Sequence, residues 1–184
     1  MGEFMKKVLE FVRSIIKEHI NENDVCIDMT LGNGNDTLFL CELSRFVYGF
    51  DVQRQAIENT EKLLRSHNLY NYEIIHKSHE LVDEYVTGTV KYVMYNLGYM
   101  PTFNKKITTR AASTIASLEK VLNILEKNGI ITMVVYSGHR NGKTEARELL
   151  KFVKTLDQKQ YDVDKYDFIN QKNNPPFALI IKRR

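Results

Sequence analysis

Five times in succession an apolar strand-like run is followed by a helix-like run, and then the alternation stops. The strand-like runs lie at 24–29, 46–52, 72–77, 90–97 and 130–137. Helical patterns follow at 35–43, 55–67, 79–86, 109–127 and 143–156, and Gly129 is placed to stop the fourth helix. A helix over 5–20 precedes them, with Leu9, Val12, Ile15, Ile16 and Ile20 on one face. The end differs. Runs at 161–170 and 177–184 are separated only by "QKNNPP". A link that short joins antiparallel strands, because a parallel crossover needs a dozen or more residues. The expected fold is α/β: a seven-stranded, mostly parallel, Rossmann-like sheet with a C-terminal antiparallel hairpin and helices on both faces.

One domain over residues 5–184 accounts for the whole pattern, with "MGEF" ahead of Met5 read as a leader. A 184-residue chain that is 43% hydrophobic can bury a full core. Its net charge of +3 permits a polyanionic partner without demanding one. Cys26 and Cys41 both fall in apolar runs. Two such thiols exclude a disulfide framework and suit a reducing, cytoplasmic setting. No Cys-x-x-Cys pair exists and the five histidines are scattered, so no metal is expected. No apolar run is long enough for a membrane span. Both a monomer and a homodimer are compatible with this composition.

Ligands of open α/β sheets bind beyond the carboxyl ends of the strands. The first such loop is "DMTLGNGNDT", residues 28–37. Gly32 and Gly34 allow close backbone approach to a ligand. The dinucleotide fingerprint needs a third glycine where this chain has Thr37. S-adenosylmethionine has no pyrophosphate and tolerates that change. Asp28 suits its ammonium, through water or a backbone group. Asp51 and Gln53, at the end of the second strand, suit its ribose. Read alone, the loop is equally a plain Gly-Asn turn with Asp36 at a helix start. The strand order, the hairpin and Asp51 turn the balance toward the closing arrangement of class I methyltransferases.

"YNLGYMP" ends the fourth strand. An attacking amine must aim its lone pair at the methyl group, in line with the sulfonium. Asn96 and a carbonyl of Leu97 or Gly98 can accept its N–H bonds and fix that direction. Tyr99 can stack on a base or face the methylsulfonium. The bland alternative is a strand-capping Asn96 and a turn at Gly98. His139, past the fifth strand, is either a substrate contact or a solvated histidine. Ser78 and His79 follow the third strand, where methyltransferases commonly hold adenine. Lys105, Lys106 and Arg110, with Arg140 and Lys143, form basic clusters in the two loops beside the proposed site. They are either phosphate contacts or ordinary solvated charges. A third cluster is Lys182 to Arg184.

The segments "DMTLGNGNDTLFL", "FDVQ", "HKSH", "NLGYMP", "KKITT", "YSGHRNGK" and "FINQKNNPPF" together resemble the YtqB/MnmM family of rRNA-methylase-like proteins. The resemblance covers nearly the whole chain. It implies S-adenosylmethionine-dependent methylation of the aminomethyl group on the modified wobble uridine, and so the tRNA anticodon region as partner. It implies that Asp28, Thr30, Gly32, Asn33, Gly34, Asn35, Asp36 and Thr37 surround the cofactor. Asp51 and Gln53 go to the ribose, Ser78 and His79 to the adenine, and Asn96 beside the methyl group. Gly98, Tyr99, Pro101, Thr108, Thr109, Gly138 and His139 fall on the methyl-accepting side. Asn170, Gln171 and Pro175 to Phe177 match a family stretch with no role assigned. Three departures stand out. Asn35 replaces a histidine, Thr102-Phe103-Asn104 replaces Gly-Gly-Asp, and Ser137 and Arg140 replace His and Pro. Two other readings use the same residues: an rRNA or small-molecule methyltransferase, and a non-catalytic nucleotide- or RNA-binding protein. Intact Asp28, Asp51 and Asn96 argue against the last.

Overall fold

The computed structural model describes residues 7–98, 109–138, 140–172 and 174–184, with Arg140 described by its backbone alone. The chain begins with α1 (Val8–His19), β1 (Val25–Asp28), α2 (Asn35–Cys41), β2 (Phe46–Phe50), α3 (Arg54–Ser66) and β3 (Tyr72–Ile75). A 3-10 turn (His79–Leu81) leads into α4 (Val82–Tyr85), followed by β4 (Val90–Asn96) and α5 (Ala111–Ile124). The chain ends with β5 (Leu125–Val135), α6 (Arg140–Val153), β6 (Tyr161–Tyr166) and β7 (Phe177–Arg183).

The seven strands form one sheet in the order β3-β2-β1-β4-β5-β7-β6. The first five run parallel. β7 is antiparallel to both β5 and β6, as the short "QKNNPP" link requires. Two cores cover the two sheet faces. Val12 and Ile16 of α1, Leu40 of α2 and Leu64 of α3 pack with Cys26, Val47, Tyr92, Met94 and Val134. Val82 of α4, Leu118 and Leu122 of α5 and Leu149 of α6 pack with Ile27, Phe50, Val93, Tyr95, Met133 and Leu179. Residues 92 to 95 alternate between these cores because side chains alternate along a strand. Both cysteines are buried and unpaired, and burial pushes each thiol up to about 12. They are inert packing groups at neutral pH.

One boundary differs from the sequence pattern. The fourth long helix ends at Ile124, not at Gly129, because Leu125 is already extended and pairs with Val90 in the sheet. A four-residue irregularity follows. Asn128, at φ 59°, takes the left-handed conformation expected of a glycine. Gly129 is needed for space instead: a Cβ there would stand 2.8 Å from the Glu126 carbonyl oxygen. At the other end of the chain β6 stops at Tyr166, short of the expected 170.

Candidate active site

The strand order reverses between β1 and β4, which opens a crevice at their carboxyl ends. A cavity of about 700 Å³ occupies it. Its wall includes Thr30, Gly32, Asn33, Asn35 and Asp36 from the loop after β1, and Asp51 and Gln53 from the end of β2. Ser78 and His79 follow β3, and Asn96, Leu97 and Gly98 end β4. Thr109, Arg110 and Gly138 complete the set that sequence placed here.

Asp28, Gly34 and Thr37 stand behind this wall rather than in it. Asp28 is fully buried, with one carboxylate oxygen accepting from Thr30 N at 3.0 Å and the other from Thr37 Oγ1 at 2.7 Å. It ties both ends of the loop to β1. Gly34 has φ 80° and lies so close to α3 that a Cβ would meet Thr60 Cα at 2.9 Å. Burial, with the nearby Asp36 charge, pushes the Asp28 carboxyl up to about 7, while hydrogen bonds from Thr37 and Thr30 pull it down. The folded protein therefore holds this proton more tightly than the unfolded chain. The resulting stabilisation is complete below the ordinary value of 3.8 and lost as pH rises through about 7. Urea unfolding followed from acid to neutral pH should show stability falling across that window, and Asp28→Asn should flatten the fall.

Asp51 joins two loops. Its oxygens accept from Gln53 N at 2.8 Å and from Gly32 N at 3.1 Å. Partial burial raises its pKa, against the pull of those backbone N–H groups. Each carboxylate oxygen has a second lone pair, so the group can still receive ligand hydroxyls. His79 is buried, and burial lowers its pKa despite the bond to Met29. Its Nδ1 lies 3.1 Å from the Met29 carbonyl oxygen, an acceptor only, so Nδ1 carries the proton. Nε2 is then an acceptor, and it has no hydrogen-bond partner among the described residues. The ring meets Tyr95 edge-on at 5.9 Å.

Asn96 has a fixed orientation for an equally simple reason. Its side-chain nitrogen donates to Asp36 at 3.1 Å, and its backbone N–H donates to Thr30 Oγ1 at 2.8 Å. A carboxylate only accepts, so the amide must present its NH2 to Asp36 and turn its oxygen the other way. Asp36 is itself held by Arg13 of α1 at 3.2 Å.

Gly98 and Thr109 are clasped together. Gly98 N donates to Thr109 Oγ1 at 3.0 Å, and Thr109 N donates to the Gly98 carbonyl at 3.1 Å. Below them lies Glu145 of α6, buried, accepting from Thr109 Oγ1 at 2.7 Å and from Thr114 Oγ1 at 2.9 Å. Glu145→Ala removes the acceptor of two hydroxyls, and should lower unfolding free energy by about 2–4 kcal/mol in a denaturant titration.

Tyr99, Pro101, Lys105, Lys106, Thr108 and His139 lie outside the described residues, as does the Arg140 side chain. The structure adds wall residues that the sequence pattern did not single out: Leu31, Val52, Lys77, Ser113, Tyr136 and Asn174. Tyr136 was findable, since it directly follows a strand end. Asn174 and Pro176 give the "NNPPF" stretch a place: both reach the cavity, while Phe177 is buried in the core. Asn170 and Gln171 are exposed in the turn after β6. Of the third basic cluster, Arg184 pairs with Asp162 at 2.6 Å and Arg183 donates to the Leu125 carbonyl. Among the described residues no cluster of His, Cys, Asp or Glu could hold a metal, and no helix is long and apolar enough to cross a membrane.

Residues 47–182 match the model of the family described as "Putative rRNA methylase". The chain belongs to that family. A Clostridium thermocellum rRNA-methylase structure described in the same words is 41% identical, with a TM-score of 0.96 over 99% of this chain and 100% of that one. A Streptococcus mutans methyltransferase, solved in complex with SAH, is 35% identical, with a TM-score of 0.93 over 98% and 100% of the two chains. The chloroplast tRNA (mnm(5)s(2)U34)-methyltransferase of Arabidopsis thaliana is 31% identical over 97% of this chain and 70% of its own length. Rossmann-like topology with the closing hairpin is therefore the fold of this rRNA methylase family, as the strand pattern predicts.

Proposed function

We propose that this protein transfers a methyl group from S-adenosylmethionine to the aminomethyl nitrogen of the modified wobble uridine in tRNA. The observation that carries the reading is the Asp36–Asn96 pair at the mouth of β4. Asp36 forces the Asn96 oxygen to be the amide atom left for a ligand, and an amide oxygen accepts N–H from an amine. The likeness to the Arabidopsis enzyme supports this choice of substrate.

The residues present suit the cofactor. The cavity, at about 700 Å³, is within the range of small-molecule sites. Asp51 stands in its wall with lone pairs for ribose hydroxyls, and Gly32 carries no side chain that would intrude. The cofactor supplies an electrophilic methyl group on a sulfonium. Asn96 holds the neutral amine so that its lone pair faces that methyl. When bound, the cofactor would give up that methyl group and leave as the neutral thioether, and the extra proton of the methylated amine would pass to solvent. Positioning and exclusion of water are the protein's contribution; no covalent enzyme intermediate is needed.

The family description, which names ribosomal RNA, favours a second reading. One experiment separates them: nucleoside mass spectrometry of tRNA and rRNA from cells lacking the protein. Accumulated aminomethyl nucleosides in tRNA are expected. Unchanged tRNA with an unmethylated rRNA site would move the assignment to rRNA. Titration calorimetry tests the cofactor separately, and no heat with S-adenosylmethionine would sink both readings.

A further inference from the structure

The outer face of α6 carries an unbalanced row of cations. Lys143, Arg147 and Lys151 recur at helical spacing, Lys154 continues the row just past the helix, and all four are exposed. Together with Ala146, Leu150, Ser137 and Phe177 they line a shallow groove of about 530 Å³. Lys165 of β6 borders it, its Nζ 4.5 Å from the centre of the Phe177 ring. Few acids offset these charges. Among the described residues of α6, Glu145 is buried and Glu148 is bonded to Arg147 at 3.1 Å. Lys165 is paired with Asp167 at 2.6 Å. The outer face of α3, by contrast, mixes signs, with Arg54–Glu58 and Arg65–Glu61 pairs. A merely solvated helix face normally looks like α3.

The groove adjoins the active-site cavity. Ser137 and Phe177 line the groove, and their chain neighbours Gly138 and Pro176 line the cavity. The row spans about 16 Å at 1.5 Å per helical residue. A nucleic-acid strand presents a phosphate every ~3.4 Å of axis, so this row faces several phosphates at once. Its own positive charge opposes pairing with a second copy. We propose that the α6 groove binds the phosphate backbone of the RNA whose nucleotide enters the cavity. This rests on the reading that the substrate is RNA.

The test uses the full chain and an unmodified RNA hairpin, followed by fluorescence anisotropy over a range of salt. The variant is the triple Lys143→Ala, Lys151→Ala, Lys154→Ala; the control is Lys62→Ala, on α3. Hairpin affinity should fall about tenfold or more in the triple, and its log–log salt slope should shrink by about 2. S-adenosylmethionine affinity should stay at the wild-type value, which also certifies folding. A triple Lys→Arg variant should restore RNA binding. Wild-type-like hairpin binding by the triple overturns the proposal, and so does an equal loss in the Lys62→Ala control. The hairpin assay involves no methyl transfer. RNA bound through the groove without methylated tRNA would defeat the function proposed above and leave the groove intact. Methylated tRNA with an unaffected triple would do the reverse.

Discussion

Asn96→Ala is expected to lower kcat by about 10²-fold or more while leaving cofactor affinity nearly unchanged. In the proposed reaction the amide acts only by directing an amine, so its loss should remove orientation and little ground-state binding. Asp36→Asn should give a smaller fall, about tenfold, equal to roughly 1.4 kcal/mol. With an amide in place of the carboxylate, Asn96 is no longer obliged to turn its oxygen outward, and a fraction of molecules will present NH2 to the amine. Single-turnover methylation alongside calorimetry separates the two quantities. Full turnover in Asn96→Ala would remove this residue from the mechanism.

Asp51→Ala is expected to act on the opposite quantity. It should weaken S-adenosylmethionine binding by about 10²-fold, with a much smaller change in kcat once the cofactor is saturating. Two effects add. The ribose acceptor is lost, and charge-assisted hydrogen bonds contribute about 1.5–3 kcal/mol. The Gly32 and Gln53 N–H groups also lose the carboxylate that aligns the two loops. Asp51→Asn keeps one acceptor and should fall between. Calorimetry reads the affinity directly, and wild-type binding by Asp51→Ala would place the ribose elsewhere.

Much of this arrangement was legible in the sequence, because strand and helix periodicity report which face is buried. Five parallel units and a closing hairpin are the sheet that forms. The failure at Gly129 is instructive. A glycine at this position predicts a helix stop, yet Leu125 leaves the helix earlier because pairing with Val90 outweighs local propensity. The cavity wall was partly legible, since strand ends are where ligands sit, and Asp51, His79 and Asn96 all lie there. The division of the first loop into two layers was not. Spacing alone cannot tell that Thr37 turns inward to Asp28 while Asp36 turns toward Asn96. Nor does it bring Glu145, far along the chain, beneath Thr109. Such contacts follow from packing between elements, which periodicity does not encode.

The Gly98–Thr109 clasp ties two stretches of the cavity wall to each other. Its two hydrogen bonds hold the chain just past β4 to the chain just ahead of α5, so these parts of the wall keep one spacing. A change at either residue is therefore expected to move both parts of the wall together.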